Sequence, residues 1–205
     1  KFEKQIDAII APSNFTINLI NKSKQFNKTN FYHVPTFVDS IFSKQEIIKR
    51  YDLKEGLKIC YFGRIAEDKG IDVLIKAIKE LNARQLKITL DIYGDDNSEY
   101  ANQLKGLVKS LEIKNIHFMG FVSGNEVDNT FKNYHFSVIP SKWYDNMPNS
   151  LIESCINGVP VIVSKIGSLD EIIEDNKNGF TFESSNSMSL AHKLESLLKI
   201  DEKEY

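Results

Sequence analysis

Hydrophobic positions along this chain fall into blocks of two kinds. Short continuous apolar runs alternate with longer stretches in which apolar residues recur every three or four positions. The runs IDAIIA (Ile6–Ala11), FYHVP (Phe31–Pro35), LKICYFG (Leu57–Gly63), LKITLDIYG (Leu86–Gly94), NIHFMG (Asn115–Gly120), HFSVIP (His135–Pro140) and PVIVS (Pro160–Ser164) predict strands. Between Gly70 and Leu81, the residues Ile71, Leu74, Ile75, Ile78 and Leu81 fall on one helical face. Further helices are predicted from a Ser13 cap to about Phe26, over Ser98–Leu111, over Asn149–Asn157 and over Ser187–Leu198. Three Ser-x-x-Glu capping boxes, Ser43–Glu46, Ser123–Glu126 and Ser168–Glu171, mark more helix starts, the first of a helix ending near Tyr51. Asn178-Gly179 predicts a turn.

Strands alternating with helices at this spacing predict βαβ units and an α/β fold, an open parallel sheet with helices on both faces. The uniformly apolar runs suit strands buried on both sides. The polar, Lys/Asn-rich segment 21–30 predicts a boundary between a strand-helix piece, residues 1–30, and a main domain, residues 31–205. Open parallel sheets bind ligands outside the carboxyl ends of their strands. The residues that follow each strand are therefore the candidates for chemistry.

Composition narrows the field. The 205 residues are 41% hydrophobic and 26% charged, which supports a packed globular core. A formal net charge of -2 argues against nucleic acid held by bulk charge, while leaving room for a local basic pocket. Cys60 and Cys155 lie far apart inside apolar runs, as reduced core cysteines of a cytoplasmic protein would. Neither they nor His33, His117, His135 and His192 show metal-ligand spacing. No apolar run approaches the roughly 18 residues that span a bilayer, and no basic amphipathic helix suggests membrane contact through this part. The opening KFEKQID has no signal-peptide features and reads as a chain that starts inside a longer protein.

Three stretches after strands carry candidate chemistry. In GRIAEDKG, Gly63 permits a tight turn, and Arg64 and Lys69 stand beside a predicted helix N-terminus. Helix N-termini favour anions, and a planar guanidinium with a mobile ammonium suits a diphosphate. The same residues also suit an ordinary surface loop paired with Glu67 and Asp68. In WYDNMPNSLIE, Pro148 and Asn149 mark a helix start with Asn149 as N-cap. The amides around Asn146, Met147, Pro148, Asn149 and Ser150 would then face an anion or hydroxyls, between the acids Asp145 and Glu153. Glu153 is equally at home near a helix N-terminus for the dipole alone. In GFVS, Phe121 and Val122 form one wall of a flat pocket or belong to the core. Trp143 and Tyr144 are expected beneath Asp145, and Lys142 along the cleft or in solvent.

The ordered set Gly63-Arg64, Lys69-Gly70, Gly120-Phe121-Val122, Pro140-Ser141, Trp143 to Pro148, Glu153, Gly158 to Ile162 and Asn178-Gly179 resembles the donor-binding half of the GT-B glycosyltransferases, and glycosyltransferase family 4 most of all. The resemblance covers essentially the whole chain, with residues 1–30 similar to the end of the family's N-terminal acceptor domain and its linker. It implies a Rossmann-like domain that binds a nucleotide-sugar, with a UDP-sugar favoured and GDP-mannose as the alternative. Transfer of the hexose, with retention and without a metal or other cofactor, would be to a glycan or lipid-linked acceptor. It further implies Arg64 and Lys69 on the diphosphate, Val122 and its neighbours along the base, Glu153 on the ribose hydroxyls and Asp145 beside the donor sugar. The family places glutamate where this chain has Asp145, one methylene shorter, or about 1.5 Å of reach. Family members are about twice this length, so the resemblance implies a fragment that binds donor but does not transfer sugar by itself. The full-length protein would be cytoplasmic, or peripheral on the cytoplasmic face of the membrane. Two other readings stay open: a noncatalytic nucleotide-sugar-binding or interaction domain, and a GT-B sugar-nucleotide epimerase.

Overall fold

The computed structural model describes residues 5–26, 28–37, 53 and 55–199. A small first unit holds β1 (Ala8–Ala11), α1 (Asn14–Lys22) and β2 (Asn30–His33), with the two strands paired in parallel. Ser13 caps α1 by accepting from the Thr16 N–H at 3.2 Å, as the sequence predicts, but the helix stops at Lys22 rather than near Phe26. The predicted boundary near Phe31 falls inside β2. Pairing of Phe31 with Ile9 and of His33 with Ala11 groups these residues with the first strand rather than with the main sheet. The Ser43–Glu46 capping box and its helix lie outside the described residues.

The main sheet runs β3 (Leu57–Phe62), β4 (Ile88–Tyr93), β5 (Ile116–Gly120), β6 (Phe136–Ile139), β7 (Val161–Ser164) and β8 (Phe180–Phe182) in chain order. Its spatial order is β5-β4-β3-β6-β7-β8, and every pair is parallel. The helices α2 (Ile71–Ala83), α3 (Glu99–Ser110), α4 (Asn125–Phe131), α5 (Asn149–Ile156), α6 (Gly167–Ile172) and α7 (Ser187–Leu197) connect or follow these strands. β8 is a strand that the hydrophobic pattern does not predict, because only three residues, FTF, follow the Asn178-Gly179 turn.

Both faces of the sheet are buried, and β3 shows why its run is continuously apolar. Leu57, Ile59 and Tyr61 point into a large core with the apolar face of α2 and with Leu190, Ala191, Leu194 and Leu197 of α7. Cys60 and Phe62 point the other way, into a cluster with Tyr93, Phe131 and Tyr134. Each fully buried Leu or Ile contributes roughly 1.5–3 kcal/mol of transfer free energy. Cys155 departs from its expected core position: it is exposed on α5, whereas Cys60 is buried.

Two of the predicted serine caps are not used, and at Ser168 the reason is identifiable. α4 takes Gly124, not Ser123, as its N-cap, and the cap makes no side-chain bond. α6 starts after Ile166, which leaves Ser168 inside its first turn and its hydroxyl free to bond elsewhere. Long-range geometry claims a hydroxyl that the local Ser-x-x-Glu pattern assigns to the helix. Asn149 likewise lies one position inside α5, whose N-cap is Pro148.

The strand order matters for function. From β3 the chain winds outward through β4 and β5, then crosses back to β6 beside β3 and winds outward the other way. The connections leaving β3 and β6 thus diverge, and a crevice opens at the carboxyl ends of these two strands.

Candidate functional site

A cleft of about 620 Å³ occupies that crevice. One wall comes from the turn after β3, which supplies Gly63, Arg64 and Lys69, and another from the end of β6, which supplies Ser141 and Asp145. Pro148, Asn149, Ser150 and Glu153 line it from the start of α5, and Phe121 and Val122 from the end of β5. Asn146 and Met147 lie outside this lining. The Asn146 side chain accepts from the Thr16 hydroxyl at 2.6 Å, and the Met147 N–H donates to Ser168 Oγ at 3.2 Å. Both are spent on holding the loop to α1 and α6.

The turn after β3 is packed tightly onto the end of β6. Residues 67–69 form a single 3-10 turn, and Gly70 follows with φ of 69° before α2 begins. A Cβ on Gly70 would stand 1.9 Å from the Pro140 carbonyl oxygen, so only glycine allows this approach. The Lys142 N–H closes the same contact by donating to the Asp68 carbonyl at 2.8 Å. Lys142 itself neither lines the cleft nor points free into solvent: its ammonium pairs with Asp72 at 2.5 Å in the first turn of α2.

The two cations differ in setting. Arg64 is 69% exposed and pairs with Asp68 at 2.9 Å, four residues on. Lys69 is only 19% exposed and forms a salt bridge to Asp145 Oδ1, with Asp68 farther off at 3.9 Å. The Tyr61 hydroxyl supports the turn from below, donating to the Arg64 carbonyl at 2.7 Å. Burial, helped by the nearby Asp145, pushes Tyr61 far above the ordinary tyrosine range, so it remains a donor.

The two acids differ as well. Asp145 is 14% exposed, and both its oxygens are engaged, one by Lys69 and the other by the Ser141 hydroxyl. Its backbone carbonyl accepts from Ser168 Oγ. Glu153 is half-buried, and no hydrogen-bond donor or cation pairs with its carboxylate among the described residues. Burial, and secondarily the nearby Asp128, raises its pKa above the ordinary glutamate value. α5 has no side-chain cap, and its first turn, lined by Asn149 and Ser150, offers backbone N–H groups to the cleft. The arrangement can take an anion at Arg64, Lys69 and these amides, and hydroxyl donors at Glu153.

The remaining wall is flat and apolar. Phe121 is 75% exposed, and Val122 packs toward the Phe62 cluster. Phe62 forms the floor, stacked on Tyr93 at 4.4 Å between ring centroids. Tyr93, Gly94 and Asp95 at the end of β4 line the cleft too. No motif in the sequence singles them out, although YGDD lies at the carboxyl end of a strand just as the other candidate stretches do. Trp143 is not beneath Asp145 but 67% exposed, while Tyr144 packs on Phe15 of α1 at 4.8 Å. Among the described residues, no group of three or more His, Cys, Asp or Glu side chains converges as a metal site would. No described helix is long and apolar enough to cross a membrane.

Residues 43–205 match the family described as Glycosyl transferases group 1. Over 192 residues the chain is 28% identical to an uncharacterized 41.2 kDa protein in the cps region of Klebsiella pneumoniae, which covers 90% of this chain and 51% of that one. Sucrose-phosphate synthase of Thermosynechococcus elongatus superposes with a TM-score of 0.81 at 17% identity, over 97% of this chain and 50% of the other. HepE of Anabaena, solved in complex with UDP and glucose, gives 0.77 at 18% identity, over 97% and 55%. The chain spans about half the length of each of these relatives.

Proposed function

We propose that this chain, which belongs to the Glycosyl transferases group 1 family and has the Rossmann-like architecture of the C-terminal half of a GT-B enzyme, is the donor-binding domain of a retaining, family 4-like hexosyltransferase. The observation that carries the reading is the composition of one cleft. Two cations, the uncapped start of α5 and a carboxylate with no partner among the described residues all line the crevice between β3 and β6.

A nucleoside diphosphate sugar fits that order of groups. Its diphosphate lies against Arg64, Lys69 and the amides of Asn149 and Ser150. Its ribose hydroxyls donate to Glu153, and its base lies along Phe121 and Val122. Its sugar ends beside Asp145. As the bond from the sugar to the diphosphate breaks, negative charge gathers on the departing phosphate. The two cations and the helix N-terminus stabilise that charge in a partly enclosed site, with no part assigned to a metal.

UDP-sugar is the favoured donor, since HepE holds UDP on the same fold, and GDP-mannose is second. The Klebsiella relative belongs to a cps region, which supports assembly of a surface polysaccharide on a glycan or lipid-linked acceptor at the cytoplasmic face. The acceptor would be held by a further domain, and this chain by itself binds donor without transferring sugar. Calorimetric titration with UDP, GDP and ADP tests the reading, with Glu153→Ala as control. Saturable binding of one nucleotide, weakened at least tenfold by Glu153→Ala, is the expected result. Equal affinity in wild type and variant would overturn the assignment of the ribose.

A further inference from the structure

The salt bridge between Lys69 and Asp145 sets a carboxylate and a diphosphate in competition for one ammonium. Lys69, Ser141 and Asp145 all line the cleft, and the pair is shielded, at 19% and 14% exposure. Arg64 is different: it stands in solvent with Asp68, where an ion pair contributes little and rearranges freely. Asp145 is held at three points, by Lys69 and Ser141 on its carboxylate and by Ser168 on its carbonyl. Its short side chain, on a backbone fixed by Ser168, ends at Lys69. Arg64 and Lys69 therefore face two carboxylates, Asp68 and Asp145, and the four charges cancel. A diphosphate can draw Arg64 from Asp68 at little cost, but it gains the shielded Lys69 only by displacing Asp145.

We propose that Asp145 is a positioning residue that acts through Lys69: it aims the ammonium into the cleft and gives it up to the donor's diphosphate, and that exchange releases the carboxylate toward the donor sugar. This rests on the nucleotide-sugar reading of the cleft. The exchange weakens the grip on the nucleoside diphosphate, which must leave after transfer, and makes the orientation of Asp145 depend on the diphosphate being in place.

The test is calorimetric titration of the full chain with UDP, and with GDP where UDP does not bind, followed by the corresponding sugar conjugate. Asp145→Asn keeps the shape and removes the charge. Removing a like charge next to the phosphates is expected to tighten UDP by about three- to tenfold. Asp145→Glu restores the charge and returns UDP to the wild-type affinity. UDP-glucose gains less than UDP in Asp145→Asn, because the contact with the sugar is lost. A residue that only touched sugar, or only supported the loop, would leave UDP unchanged or weaker in Asp145→Asn, and that result overturns the proposal.

A second measurement needs no nucleotide. A thermal-unfolding cycle of Lys69→Met, Asp145→Asn and the double variant is expected to show coupling, and strict additivity would overturn the exchange. Failure of the wild-type chain to bind any nucleotide would overturn the donor reading together with the exchange. Binding without an Asp145 effect would overturn the exchange alone.

Discussion

Asp145 and Glu153 lie eight positions apart and line one cleft, yet their surroundings are opposite. Asp145 sits within the loop between β6 and α5, and every oxygen it carries is bonded within the chain. Glu153 sits on a regular helix, is half-buried, and has a raised pKa and no donor among the described residues. The first acid is stabilised by its neighbours, so a ligand must displace them. The second is costly to the fold, and a ligand with hydroxyl groups relieves that cost. On the donor reading proposed above, a carboxylate already satisfied and one left unsatisfied would be two ways to bind the same molecule, by exchange and by completion.

The most drastic way to break the comparison is to separate the two walls that make it. Gly70→Ala forces a side chain against the Pro140 carbonyl at a positive φ. A loss of about 3 kcal/mol or more is expected, read by urea unfolding. Next comes Glu153→Gln, which strikes the unsatisfied acid alone. Nucleotide affinity is expected to fall at least tenfold, since hydrogen bonds to a charged acceptor contribute about 1.5–3 kcal/mol. The same change is expected to raise the melting temperature at neutral pH.

The sign follows from the raised pKa. A glutamate whose folded pKa exceeds the unfolded value adds stability below the ordinary glutamate range, and that gain is lost as pH rises through the raised value. At neutral pH the charged form is therefore a net cost, which Gln removes. Binding has the opposite trend. It is expected to weaken as pH falls through the raised value, because protonated Glu153 accepts fewer hydroxyl bonds, and Glu153→Gln should lack that acid limb. Titration in a pH series checks both.

On the side of the satisfied acid, Lys69→Met leaves Asp145 with Ser141 alone. A stability loss of about 1–2 kcal/mol is expected, reduced from the fully buried case by partial exposure. Ser141→Ala is the mildest, at about 1 kcal/mol, the net value of a typical hydrogen bond, because the carboxylate keeps Lys69. Both are read by chemical denaturation.

The same contrast marks what the sequence reveals. Strand runs and the amphipathic α2 are legible because both faces of each strand and one face of the helix are committed to the core. Arg64, Lys69, Asp145 and Glu153 are legible as candidates because each follows a strand or opens a helix. What Asp145 does with its oxygens is not legible, because Lys69 and Ser168 reach it from other elements. The Ser168 hydroxyl reads locally as a helix cap, and only the folded chain sends it 23 positions back. Tyr93 and Asp95 also lie at the end of a strand, but no motif around them marks them as part of the cleft.

The reversal of winding between β3 and β6 has a consequence for how such a protein changes over generations. The crevice exists because neighbouring connections run in opposite directions, not because of any side chain that lines it. Its lining can therefore drift without the pocket disappearing. The wall at Gly120–Gly124 has open space around both glycines, whereas the wall at Gly70 has none. On the donor reading proposed above, selection for a different base or sugar would find its raw material in the first wall and a fixed anchor for phosphate in the second.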